Sequence, residues 1–181
     1  VLLYAFLQPN QAFRHIRRQP IINENARNIF RVNEAANISL LIDDSAYPDK
    51  AAMIKDIRNS NYDIVVINPL FHEKEPFSAD EVNSLKYKKN GARRLIIAEQ
   101  NISEATSGAY YWHQDWEIDN PSWLRRLSFA NKNDIITEYW NINWQRIMSE
   151  YFKSIVMINY DGVFFTGVNN FRYFEKLTPL E

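Results

Sequence analysis

The sequence contains no cysteine. That removes disulfides, zinc–thiolate sites and cysteine nucleophiles in one step. It leaves the compartment open, because extracellular proteins without disulfides exist. Glycine is scarce, with 4 in 181 residues, too few for a phosphate-cradling glycine loop or for a fold crowded with tight turns. An excess of one charge is missing too. Lys and Arg number 21 against 22 Asp and Glu, a formal net charge of -1, which argues against a nucleic-acid partner because such proteins carry a basic surplus. No apolar run approaches the length of a membrane span. The histidines, His15, His72 and His113, have no second ligand at helical or hairpin spacing, so no metal and no cofactor is expected.

What is present is a globular balance, 46% hydrophobic and 24% charged, in a length that suits one domain with a real core. Aromatics reach 14%, which fits either a dense core or a surface on which sugar rings or bases stack. The opening Val1-Leu2-Leu3-Tyr4-Ala5-Phe6-Leu7 has no basic residue before it and is short for a signal peptide. It reads as a first strand or as the remnant of a trimmed leader. The polar stretch from Arg14 to Asn37 has little periodicity, and residues 1–36 are taken as an N-terminal extension before a domain over 37–181.

From residue 37 the pattern sharpens. Ile38 to Ile42 is a short apolar run ending at Asp43-Asp44-Ser45, a turn signal. Ala51, Ala52, Ile54 and Ile57 recur at helical spacing over 49–59. Tyr62 to Asn68 is a β-branched run closed by Pro69, a strand of the fully buried kind. Ser78 and Glu81 form a capping box that opens a helix, and Gly91 stands where its C-cap belongs. The basic run Tyr87 to Arg94 reads as a solvated helix end followed by a turn, with phosphate contact as the other reading. Arg94 to Ala98 is another buried strand. Residues 99–133 read as a long loop with a short helix at Asn120–Leu124, Asn120 as N-cap and Pro121 at the first helical position. An amphipathic helix spans Trp144–Val156, and Tyr160–Phe165 closes the chain's last strand. Strands alternating with helices at this spacing predict parallel βα units.

The motifs from Asn61 to Glu175 resemble glycoside hydrolase family 114, the endo-α-1,4-polygalactosaminidase-like family. They are the strand Asn61–Asn68; Phe77-Ser78-Ala79-Asp80-Glu81-Val82; Asn101-Ile102-Ser103-Glu104-Ala105 followed by Tyr110-Tyr111-Trp112 and Trp116; Pro121-Ser122-Trp123-Leu124; Tyr139-Trp140 with Trp144; and Tyr160-Asp161-Gly162-Val163-Phe164-Phe165 running into Phe171-Arg172-Tyr173-Phe174-Glu175. The resemblance implies an α/β fold, a parallel (β/α) barrel of the TIM type, here partial, with its site at the C-terminal ends of the strands. It implies hydrolysis of galactosamine-rich polysaccharide, an extracytoplasmic or secreted location, and an amino-sugar or polysaccharide ligand.

The departures bear on that chemistry. Glycosidases generally flank the scissile bond with two carboxyl groups. The positions where the resemblance implies acids are Asn68, Thr166 and Asn169, and none of these side chains can act as a carboxylate nucleophile or carry a titrating carboxylic proton. Glu104 survives. It is a candidate catalytic or ligand-contacting residue, its bland alternative being a carboxylate that braces the next element. Glu99, at the end of the third strand, is either a replacement acid or a solvated loop acid. Tyr110, Tyr111, Trp112, Tyr139 and Trp140 are candidate sugar-stacking rings or packing beneath a loop. His113 reads as a surface histidine, and Asp43-Asp44 as a plain turn before a cation or hydroxyl site. The favoured reading is a glycosidase-like protein with decayed carboxylates and retained carbohydrate binding. The rivals are an active glycosidase using Glu104 with Glu99, and a scaffold whose open sheet edge pairs with another chain, such as a second copy.

Overall fold

The structure is a computed structural model that describes residues 20–127 and 134–177. In chain order the elements are β1 (Ile38–Leu41), α1 (Lys50–Arg58), β2 (Ile64–Ile67), β3 (Leu70–Phe71), β4 (Glu75–Pro76), α2 (Ala79–Leu85), β5 (Leu95–Asn101), β6 (Glu104–Thr106), β7 (Leu124–Leu127), β8 (Asp134–Thr137), α3 (Ile142–Ile158), β9 (Gly162–Thr166) and α4 (Phe171–Leu177). Short 3₁₀ turns lie at Val32–Glu34, Gln114–Glu117 and Val168–Asn170.

Four strands make one parallel sheet in the order β1-β2-β5-β9. The register sets Ile64 beside Ile38 and Leu95, and Ile97 beside Gly162. Because side chains alternate along a strand, β2 sends Val65 and Ile67 to one face and Ile64 and Val66 to the other. Val65 and Ile67 pack with Leu41, Ile96 and Ala98 against Met53 and Ile57 of α1, Val82 and Leu85 of α2, and Ile155 before Tyr160. Burying such side chains contributes about 1.5–3 kcal/mol each, so all four β-branched residues of β2 are held from two sides. The opposite face carries Ile64, Val66 and Leu95, with Ile29 fully buried among them.

Helix ends follow their caps. Asp49 Oδ1 accepts the Ala52 N–H at 2.7 Å. Ser78 Oγ accepts the Glu81 N–H at 3.2 Å while Glu81 Oε2 accepts the Ser78 N–H at 2.7 Å. Asn141 caps α3, and Asn159 ends it in the left-handed region at φ 72°.

The N-terminal ends of the strands are locked by buried charge. Lys88 Nζ lies 2.5 Å from Asp63 Oδ1, both side chains fully buried. Asp63 also accepts from Asn25 Nδ2 and the Ala36 N–H, and the Ile29 N–H reaches the Arg93 carbonyl at 3.0 Å. Residues 20–36 therefore run beneath β2 and β5. Residues 1–19, with the Val1–Leu7 run, lie outside the described residues. Asp161 ties Arg93, Lys86 and the Ile96 N–H together at the foot of β9.

The sheet stays open. No pairing joins β1 to β9, so among the described residues no barrel closes. Other expectations need correction. The stretch 99–133 is not a plain loop: β5 runs to Asn101, and β6, β8 and β7 form an antiparallel sheet in that order. Asn120–Leu124 is a turn and not a helix. Its Leu124 N–H returns to the Pro121 carbonyl at 2.9 Å, and β8 then captures β7. Gly91 is not the cap of α2, which ends six residues earlier at Leu85. It sits at φ +85° in the turn closed by an antiparallel Tyr87–Arg93 bridge. The basic run there is not a solvated end, since Lys88 and Arg94 are buried, the latter bonding Ser60 and the Tyr87 carbonyl.

Candidate functional site

The C-terminal ends of the strands collect carboxylates. On β5, Glu99 points to the face away from the helices, its neighbour across the sheet being Phe164. It is 9% exposed. The Thr166 hydroxyl donates to its Oε1. Burial pushes the Glu99 carboxyl up to about 7; the Thr166 hydrogen bond opposes this, and the charges of Asp134 and Glu104 add to it. Asp134 and Glu104 come from one face of the antiparallel sheet, where Glu104 pairs with Ile136 and Thr106 with Asp134. The Thr106 hydroxyl donates to Asp134 Oδ1 at 2.6 Å. Glu73, in the β3–β4 turn, is raised by burial and then by Asp134 and Asp44. Asp44 is raised by burial, although its carboxylate accepts the His72 N–H at 2.7 Å. The strand ends and loops after β1, β2 and β5 thus assemble an acidic rim in which the carboxyls of Asp44, Glu73 and Glu99 are raised.

Glu104 is held by amides. Asn101 Nδ2 donates to its Oε2 at 2.6 Å and Asn170 Nδ2 to its Oε1 at 3.0 Å. The loop after β9 is stapled to the loop after β5: the Ser103 hydroxyl donates to the Gly167 carbonyl at 2.6 Å, and the Ile102 N–H reaches the Thr166 carbonyl at 3.2 Å. Gly167 is required here. Its φ is +74°, and a Cβ would lie 2.2 Å from Asn101 Oδ1.

The three positions where acids were implied have separate fates. Asn68 Oδ1 accepts the Leu70 N–H at 2.9 Å and shapes the turn into β3. Thr166 serves Glu99. Asn169 is exposed on the Val168–Asn170 turn, and its neighbour Asn170 is the residue that turns in to Glu104. Asn170, Asn101, Asp134 and Glu73 were not singled out from the sequence. Asn101 and Asn170 had one signal, their closeness in sequence to Glu104 and Thr166, whereas nothing in the sequence around Glu73 or Asp134 marks them.

The stacking candidates also separate. Tyr111 and Trp112 pack with Trp116 against Trp123 and Trp144, beneath the antiparallel sheet. The Tyr111 hydroxyl accepts the Thr106 N–H at 3.2 Å, and burial pushes it up to about 12. Trp144 Nε1 donates to the Ile102 carbonyl at 2.8 Å. Tyr110 is 60% exposed, Tyr139 38% and Trp140 49%. The Trp140 ring meets Phe174 of α4 edge-on at 4.5 Å, and Tyr139 meets Trp140 at 4.9 Å. An open groove of about 1030 Å³ lies elsewhere, between α1 and α2, lined by Lys50, Lys55, Arg58 and Lys89. None of Asp44, Glu73, Glu99, Glu104 and Asp134 lines it. No described helix is long and apolar enough to cross a membrane.

No protein-family profile matches the sequence. It is 28% identical over 154 residues to the uncharacterised protein MJ1477 of Methanocaldococcus jannaschii, covering 84% of this chain and 43% of that one. It is 22% identical over 127 residues to an uncharacterised protein of Thermotoga maritima, covering 67% and 37%. The chain spans less than half the length of these curated relatives. Among solved structures it is similar to the glycoside hydrolase domain of PelA from Pseudomonas aeruginosa, with TM-score 0.52 and 13% identity over 76% of this chain and 47% of that one. It is also similar to Ega3 of Aspergillus fumigatus, solved with galactosamine, with TM-score 0.53 and 15% identity over 83% and 51%. The fold is similar to that of glycoside hydrolase domains. At this identity the similarity speaks for the fold alone.

Proposed function

We propose that this chain is a glycoside hydrolase-like unit that binds an amino-sugar polymer at the acidic rim and has lost the carboxylate pair that would cleave it. The observation that carries the reading is the arrangement around Glu104. Of the motif positions that the resemblance singles out, Glu104 keeps a carboxylate, fixed by two amides, while Asn68 and Thr166 are committed to internal hydrogen bonds and cannot transfer protons. A rim of several acids suits the ammonium of a free hexosamine, and Trp140 and Tyr139 offer exposed rings for the sugar face. Support for the sugar class comes from the resemblance of the sequence and from the galactosamine complex of the structurally similar Ega3. A polysaccharide ligand of this kind would be met outside the cytoplasm.

Glu99 favours a second reading. A carboxyl with its titration near 7, beside Glu104, is poised as a general acid, so the active reading with Glu99 and Glu104 remains a rival. Calorimetric titration with galactosamine oligomers tests the binding proposal. Saturable binding that is weakened by salt and lost with N-acetylated oligomers is expected. Equal affinity for the acetylated polymer would overturn it.

A further inference from the structure

The rim and the exposed rings are joined by one element. Asn170 closes the turn after β9, and Phe174 follows four residues later in α4, about one helical turn and on one side of the chain. Asn170 Nδ2 donates to Glu104 Oε1 at 3.0 Å and to Ser103 Oγ at 2.8 Å. Phe174 meets the Trp140 ring at 4.5 Å and the Tyr139 ring at 6.1 Å. The same short segment therefore touches both the carboxylate and the aromatic platform. Its own position is fixed from beneath by the Ser103–Gly167 staple and by the glycine that lets the two loops approach.

We propose that Asn170 and Phe174 are positioning residues of a single subsite, in which Glu104 takes the ammonium or a hydroxyl of an amino sugar while Trp140 takes its ring. The inference rests on the amino-sugar reading above but concerns which residues shape it. Asn169, where the resemblance implies an acid, faces solvent and is not part of the subsite. Asn170 acts through Glu104, by fixing the carboxylate rotamer. Phe174 acts through Trp140, by fixing the indole edge-on.

Two measurements on the full chain test this. The first needs no ligand: the side-chain amide resonances of Asn170, assigned by their loss in Asn170→Ala. Glu104→Gln should move the Asn170 pair, because its acceptor changes from carboxylate to amide carbonyl, and Asn169→Ala should leave the pair in place. An Asn170 pair indifferent to Glu104→Gln would overturn the clamp whatever the ligand. The second is affinity for galactosamine oligomers. Losing one charged hydrogen bond predicts a drop of about tenfold for Asn170→Ala, with Asn170→Ser, which keeps a donor, closer to the parent. Phe174→Ala should weaken binding, and the double variant should fall short of the product of the two effects, since both serve one subsite. Full additivity would overturn the single-subsite inference. If Asn170→Ala misfolds by circular dichroism, the Asn170→Ser comparison and the resonance test still decide. If the resonance test succeeds and the parent chain binds no oligomer, the amino-sugar reading fails while the clamp stands.

Discussion

Glu99→Gln should make this protein more stable at pH 8 and leave it unchanged near pH 4. The carboxyl is 9% exposed, faces Asp134 and Glu104, and is raised from 4.5 to about 7, chiefly by burial. A tenfold change in proton affinity is worth about 1.4 kcal/mol, so holding Glu99 ionised in the fold costs about 3 kcal/mol. The sign follows from proton counting. Between pH 4.5 and 7 the folded state binds more protons at this site than the unfolded chain, so stability is fully present below pH 4.5 and declines as pH rises through 7. Glutamine carries no such charge, and its side-chain carbonyl still accepts the Thr166 hydroxyl. Urea denaturation of both proteins at pH 4.5, 6 and 8 is the assay. The variant should match the parent at the lowest pH and gain up to about 3 kcal/mol at the highest. A difference that does not change with pH would refute the placement of Glu99 in a poorly solvated acidic rim.

Other variants test the scaffold and the rings. Lys88→Met leaves Asp63 buried without its ammonium, and should lower stability by about 3 kcal/mol in urea denaturation, with Asp63→Asn on top recovering most of it. Gly167→Ala forces a side chain into a left-handed φ of +74° and onto Asn101 Oδ1, and should cost about 1–3 kcal/mol in thermal denaturation. Trp144→Ala, fully buried with its indole N–H bonded, should cost about 3–5 kcal/mol. Trp140→Ala, half exposed, should stay within about 0.5 kcal/mol of the parent and reveal itself in sugar binding alone.

The parallel sheet was legible because its strands are apolar, β-branched runs that have few other uses. Ile38–Leu41, Ile64–Ile67, Leu95–Asn101 and Gly162–Thr166 are parallel neighbours in the order expected. The Ser78–Glu81 capping box was legible for a local reason, since both hydrogen bonds lie within four residues. The antiparallel sheet was hidden. Its β7 reads Leu124-Arg125-Arg126-Leu127, apolar at helical spacing, and a register shift between Leu124 and Arg126 breaks the alternation that would mark a strand. β3 and β4 are two residues each, below any periodicity. Gly91 misled because a glycine six residues beyond a helix and a C-cap look alike in a string.

At the site, Glu104 was visible as a motif residue, but what holds it was not. Asn101 precedes it by three residues, whereas Asn170 arrives from 66 residues away. Choosing Asn170 over Asn169 depends on the φ of Gly167, which no spacing encodes. The aromatic-rich stretch divides for a similar reason. Trp123 and Trp144 become core because α3 lies across the antiparallel sheet, a tertiary fact absent from the local pattern around Tyr110–Trp112.

The central claim is amino-sugar binding without cleavage, and a reducing-end assay on galactosamine oligomers tests it most directly. The unmodified chain, at high concentration and across pH 5–8, should release no new reducing ends while calorimetry under the same conditions shows saturable binding. Loss of an acid–base partner alone removes about 10² to 10⁴ in rate, and a missing nucleophile closes the covalent route. Clear turnover by the parent, abolished by Glu104→Gln, would contradict the account and move the chemistry to Glu104.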